Sequence, residues 1–326
     1  MFFRNPTIGR CVYIEGQELG LYGNRAVAYA GGMPKVATNG VELEYVDRGN
    51  GDPLLLVMGL GAQLTSWPEG FVDSLVAQGF RVIAFDNRDS GLSTEMSGSG
   101  LKRGDILKVL LRRPVSAPYQ LRDMAADAVG LLDELGIREA HVVGASMGGM
   151  IAQEIAIGWP NRVQSLTSIM SNTGDRKNGM IDPKLALKLR RQGDPNPNDR
   201  EAMIEHSLTM WKWISGPTFD EAEAREFTAA GVDRAVRVEG TERQTAAIFA
   251  SRDRTTALRG VRTPTLVIHG LVDPLVRPSG GEATARAIPD ARLLMFPEMG
   301  HDLPECRWKE IAASIRQNAD RAPLPA

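Results

Sequence analysis

The strongest constraint on this chain is a repeated alternation of short apolar runs with longer helical patterns. Leu54-Leu55-Leu56-Val57-Met58 is apolar at every position, so a strand built from it has no face to offer water. Such a strand has to be covered on both sides. Arg81 to Asp86, His141 to Gly144 and Val163 to Met170 read as further strands. Between them lie three helical stretches: one opened by Trp67-Pro68 and stopped by Gly79, one near Leu121 to Leu135 followed by Gly136, and one from Met147 to Ile157 ended by Gly158 and Pro160. Val41 to Val46 alternates like a strand and meets a dense turn signal at Asp47 to Pro53. Alternating strands and helices define the α/β class, with a mainly parallel sheet flanked by helices on both faces.

The alternation stops near Ser171. From there to about Gly260 the sequence is helical, polar and poor in strand signals, which predicts an inserted helical cap over residues 171–260. Strand signal returns at Pro264 to His269, followed by a helix around Gly281 to Ile288, a strand at Arg292 to Phe296 and a closing helix from Glu305 to about Gln317. The core is therefore expected in two pieces, 36–170 and 261–326. Residues 1–35 are Gly-rich and irregular and read as an N-terminal arm without an assigned task. A second excursion, Leu101 to Arg113, carries five basic residues among apolar ones and reads as a short solvated helix over the site entrance rather than a membrane-surface helix.

Composition removes several function classes. With 326 residues, 43% hydrophobic and 24% charged, and a net charge of -2, the chain can bury a large core but presents no bulk basic field for nucleic acid or anionic lipid. Cys11 and Cys306 have neither disulfide-framework nor zinc spacing, so no metal is expected. There is no apolar run of about 18 residues to span a bilayer, and the first residues are broken by Arg4 and Pro6 too early for a secretory h-region. The default expectation is a cytoplasmic protein, with homo-oligomerisation left open.

One motif carries chemistry. Gly144-Ala145-Ser146-Met147-Gly148 stands between a strand and a helix, the setting of a nucleophile elbow. A serine on such a sharp turn needs neighbours without Cβ atoms, and the helix behind it supplies free N–H groups and a dipole for developing negative charge. The hydroxyl also needs a base. Of the four histidines, His141 begins the strand to the elbow, His206 lies in the cap, and His269 precedes Gly270, where it can orient the next loop. His301 lies after the last strand, able to reach the sheet's C-terminal edge, and is the favoured base. Asp273, after the penultimate strand, is the favoured carboxylate to orient it; Asp175 and Asp302 are the alternatives. For the oxyanion, two amides are expected: Met147, directly after the nucleophile, and Leu60, in the glycine-flanked turn Gly59-Leu60-Gly61. Gly59, Gly61, Trp67, Trp211 and Trp213 are candidates to line the substrate pocket, with core or cap packing the competing use of the tryptophans. Phe85 to Ser93 is charged and turn-rich, and reads as a loop held by internal ion pairs and hydrogen bonds.

Taken together, the stretch from about Val41 to Asn318 resembles the α/β-hydrolase superfamily. Leu55 to Gly59, Phe85 to Ser93, Gly144 to Gly149 and Gly300-His301-Asp302-Leu303-Pro304 make it similar to the aclacinomycin methylesterase-like esterases within that superfamily. The resemblance implies the α/β-hydrolase fold with an eight-stranded sheet and a helical cap, and hydrolysis of small-molecule esters without a cofactor. It also implies the roles given above to Ser146, Asp273 and His301. A serine at the elbow argues against dehalogenase or epoxide-hydrolase chemistry, which in this superfamily uses an aspartate there. Lactone hydrolysis and cofactor-free perhydrolysis remain as alternatives using the same residues, and a hydrolase-like ligand-binding protein as an alternative of another class. One departure is plain: Met58 stands where a histidine commonly precedes the oxyanion glycine, which bears on the fine positioning of that loop, although the backbone donor does not require a histidine.

Overall fold

The computed structural model describes residues 32–101, 105, 108 and 115–323. The expected N-terminal arm, up to residue 31, and most of the helix expected over Leu101 to Arg113 therefore lie outside the described residues.

Eight strands form one sheet: β1 (Lys35–Thr38), β2 (Val41–Arg48), β3 (Asp52–Val57), β4 (Phe80–Phe85), β5 (Ala140–Ala145), β6 (Val163–Ile169), β7 (Thr265–Gly270) and β8 (Arg292–Phe296). Their order is β1-β2-β4-β3-β5-β6-β7-β8. The first two pairings, β1 with β2 and β2 with β4, are antiparallel; all the others are parallel. Chain order reverses at β3, which runs next to β4 on one side and β5 on the other. In an open parallel sheet that reversal opens a crevice at the strands' C-terminal ends.

Side chains of the central strands divide by parity. Leu55, Val57, Ile83, Phe85 and Val142 join one apolar core with α2 (Leu121–Glu134) and α3 (Met147–Gly158). Leu54, Leu56, Val82, Ala84 and Val143 join another with α1 (Glu69–Ala77) and α10 (Trp308–Ala319). The wholly apolar run at 54–58 thus serves two cores at once. Helix α9 (Ser279–Ala287) connects β7 to β8.

Between β6 and β7 the chain contains no strand. It forms α4 (Pro183–Gln192), α5 (Arg200–Ile214), α6 (Glu221–Arg234), α7 (Val238–Ala250) and the short α8 (Thr255–Leu258). Asp182, Asp199 and Asp220 each cap one of these helices by accepting N–H bonds from its first turn.

Two local readings need correction. The closing helix begins at Trp308, not Glu305: residues Glu305–Arg307 form a tighter 3-10 turn after Pro304, and the Trp308 indole N–H donates to the Leu303 carbonyl at 2.8 Å. Strand β1 was not foreseen. Its four residues alternate between exposed and half-buried and have too little apolar content to announce a strand.

Candidate active site

Ser146 directly follows β5 and caps α3 with φ 56° and ψ -120°, a conformation that a side chain normally avoids. Tight packing holds it there. A Cβ on Gly144 would lie 2.1 Å from the Gly148 carbonyl oxygen, and one on Gly148 would lie 2.0 Å from the Val57 oxygen. The Ser146 N–H donates to the Ile169 carbonyl at 2.9 Å, tying the turn to the end of β6.

The loop after β8 brings His301 across. Ser146 Oγ lies 3.0 Å from His301 Nε2, and His301 Nδ1 lies 2.8 Å from Asp273 Oδ2. Asp273 follows β7, and its Oδ1 accepts the N–H groups of Leu275 and Val276, each at 2.9 Å. Burial pushes the Asp273 carboxyl up, but the His301 charge and hydrogen bonds from His269 and His301 outweigh it, leaving a pKa of about 2. The carboxylate is therefore ionised near neutrality, so Nδ1 of His301 carries the proton and Nε2 is left to accept from the serine hydroxyl.

The other candidates lie elsewhere. His141 is buried in the core, bonded through Nδ1 to Ser165 Oγ at 2.9 Å, and burial lowers its pKa to about 4. His206 lies on α5, where its carbonyl accepts from Gln192. His269 supports the acid loop: its Nε2 lies 2.7 Å from the Val276 carbonyl and 3.4 Å from Asp273 Oδ2. Asp175 is occupied by a local turn, accepting from Lys177 N–H and Asn178 Nδ2. Asp302 accepts from Gly300 and Gly216 N–H groups, bracing the His301 loop against the second residue after α5. The His301 N–H itself donates to Ile214 of α5 at 2.7 Å.

The turn after β3 runs directly over the serine. A Cβ on Gly59 would lie 3.2 Å from Ser146 Cβ. Gly61 has φ 66°, and its N–H donates to Gln244 Oε1 at 2.8 Å. Among the described residues, the N–H groups of Leu60 and Met147 have no acceptor outside the helices. Trp67 is spent on packing: it is almost fully buried in the α1 core and stacks on Phe71 at 5.8 Å. Trp211 meets Phe227 of α6 edge to face, and Lys188 of α4 lies over Trp213, so both help to hold the helices between β6 and β7 together.

The loop Phe85 to Ser93 has the expected internal hydrogen bonds, Ser93 Oγ donating to the Asp86 carbonyl at 2.7 Å and Leu92 N–H to Asp86 Oδ2 at 2.9 Å, but its charges pair with residues outside it. Asp86 pairs with Arg234 of α6 at 2.7 Å, and Asp89 pairs with Arg243 of α7 at 2.8 Å. Arg88 pairs with Asp127 of α2 at 2.5 Å. All three carboxylates are fully buried, so each depends on its guanidinium partner. Sequence reading missed these partners because nothing in a helical arginine announces which distant loop it enters. Gln244 was missed for the same reason, being 183 residues from Gly61.

A family model described as alpha/beta hydrolase fold matches residues 52–305, more than half of the chain. The chain belongs to the alpha/beta hydrolase fold family. Rhodomycin D methylesterase DnrP of Streptomyces peucetius is 30% identical over 312 residues, covering 87% of this chain and 97% of that protein. A 2-hydroxymuconate semialdehyde hydrolase of Pseudomonas putida is 28% identical, covering 86% and 90%. The solved structure of a thermophilic esterase from Thermogutta terrifontis superposes with a TM-score of 0.63 at 27% identity, covering 87% of this chain and 96% of that one. In this alpha/beta hydrolase, the serine turn, the acid loop and the histidine loop converge at the C-terminal edge of the parallel strands.

Proposed function

We propose that the protein is a serine carboxylesterase acting on small, largely apolar esters. The observation that carries this reading is the continuous line from Asp273 Oδ2 through His301 to Ser146 Oγ, at 2.8 and 3.0 Å, on a strained turn at a helix N-terminus. His301 Nε2 removes the hydroxyl proton as Ser146 Oγ bonds to the ester carbonyl carbon. The carbonyl π pair moves to oxygen, where the Leu60 and Met147 N–H groups donate to the resulting oxyanion. The oxyanion collapses, His301 hands its proton to the departing alkoxide, and an acyl group remains on Ser146. Water then repeats the path in reverse, giving carboxylic acid and free serine.

An apolar substrate is supported by Leu60, Leu271 and Val272, which stay 39–50% exposed at the donor loop and just before Asp273. The named methylesterase and esterase relatives support ester cleavage. The test is labelling with a fluorophosphonate followed by peptide mapping, together with turnover of short-chain aryl esters. Label on Ser146, and its loss with all turnover in Ser146→Ala, is the expected result; label on another serine, or retained turnover in the variant, overturns the reading.

A further inference from the structure

The amide of Leu60 belongs to the peptide between Gly59 and Leu60, and both neighbouring peptides are gripped by buried side-chain amides. On one side, Asn87 Nδ2 donates to the Met58 carbonyl at 3.0 Å. On the other, Gln244 Oε1 accepts the Gly61 N–H at 2.8 Å. The middle peptide is left with its N–H unused. Its own carbonyl accepts from Ala62 N–H at 3.3 Å, closing the turn.

Gln244 has no freedom to turn over. Its side chain is fully buried, and Nε2 donates to the Arg88 carbonyl at 2.8 Å and to Ser90 Oγ at 3.0 Å. Flipping the amide would set an NH2 group against the Gly61 N–H and an oxygen against the Arg88 carbonyl. The glutamine is carried by α7, whose place on the core is set by the buried Arg243–Asp89 pair one residue earlier. The Gly61 φ of 66° leaves that peptide without a Cβ to restrict it, so an external bond is what fixes its plane.

Resting on the esterase reading above, we propose that Gln244 is a positioning residue for the oxyanion site, holding the Leu60 N–H in the orientation that meets the developing charge. It does so from the helices inserted between β6 and β7. Gln244 touches no reacting atom; it acts through the Gly61 peptide.

The experiment compares Gln244→Met, which keeps length but removes the acceptor, with Gln244→Glu, which keeps an acceptor for Gly61. Three quantities are read on the full-length chain: kcat per serine titrated with a fluorophosphonate, KM for an aryl ester, and Ki for an aryl trifluoromethyl ketone. The ketone accepts the Ser146 oxygen at its carbonyl carbon, the serine proton passes to His301, and the charged oxygen of the adduct lies in the oxyanion site. The expected result for Gln244→Met is a loss of about 10- to 100-fold in kcat with the Ki weakened in parallel and KM changed by less than about threefold. Gln244→Glu should recover most of that loss, relative to wild type at the same pH, only while its buried carboxyl is protonated, because its O–H can then replace Nε2 as donor to the Arg88 carbonyl while the other oxygen accepts from Gly61.

A merely structural role would lower the number of titratable serines and the melting temperature, leave kcat per titrated serine unchanged, and treat both variants alike. That outcome overturns the proposal. Should Gln244→Met yield no folded protein, Ser90→Ala decides the matter by freeing one Gln244 hydrogen: a fall in kcat and ketone affinity of about two- to tenfold supports it, and unchanged values overturn it. Failure of the wild-type chain to label at Ser146 overturns the esterase reading itself, whereas normal labelling with an unaffected Gln244→Met overturns only the role of Gln244.

Discussion

Gly148→Ala offers a test that depends on geometry alone. The added methyl would lie 2.0 Å from the Val57 carbonyl oxygen, 2.6 Å from its carbon and 2.8 Å from the Met58 oxygen. All three are backbone atoms, so no side chain can swing away. Reaching even a tight contact requires roughly 1 Å of separation between α3 and the end of β3, and overpacking of this kind costs about 1–3 kcal/mol or more. The same movement carries the Gly59-Leu60 turn away from Ser146, and misplacement on that scale lowers kcat by about 100-fold. The control is Gly158→Ala, at the far end of the same helix, where nothing lies within 4 Å of the new Cβ. It should be neutral or stabilise by about 0.4–1 kcal/mol through the unfolded chain. Guanidinium melts and kcat per titrated serine measure both variants. A Gly148→Ala protein with wild-type midpoint and wild-type kcat would refute the inference that the elbow and β3 are in rigid contact.

Two further outcomes follow from buried charge and burial of histidine. Arg243→Met leaves the Asp89 carboxylate buried with its guanidinium gone and should destabilise the fold by about 3–5 kcal/mol, read from melts; a loss under 1 kcal/mol would show that water or Tyr119 replaces the partner. His141 has a folded pKa of about 4, below its ordinary 6.5, so the unfolded chain binds the extra proton first. Its contribution is complete above pH 6.5 and is lost as pH falls toward 4, by about 3 kcal/mol in all; His141→Gln should flatten that part of the stability profile, and an unchanged slope refutes the assignment.

The legible part of the molecule is the part written in local patterns. Leu54 to Met58 announced a strand covered on both sides because every residue is apolar, and the two cores behind it account for each one. Gly144, Ser146 and Gly148 were legible because the turn's steric demand falls on adjacent residues. His301 and Asp273 could be placed at the sheet's edge from the strands before them, and the structure sets them beside Ser146. The hidden part consists of long-range polar contacts. Asp86 and Asp89 read as pairing within their own loop, yet their partners Arg234 and Arg243 come from helices about 150 residues away. Trp67 read equally as a pocket or a core residue because aromatic groups line both, and its burial and its stacking on Phe71 place it in the α1 core. Gln244 had no pattern at all, since a single glutamine on a helix reads as a surface residue.

The helices between β6 and β7 touch the site at opposite corners: Ile214 and Gly216 hold the histidine loop, and Gln244 holds the turn over the serine. An enzyme engineer exchanging this segment for that of a relative, in order to change which esters fit, would thereby also replace the contacts that hold the histidine loop and the turn over Ser146. Grafts that carry the donor's glutamine and its α5 terminus should keep their turnover; grafts chosen only for pocket shape should bind new esters and process them slowly.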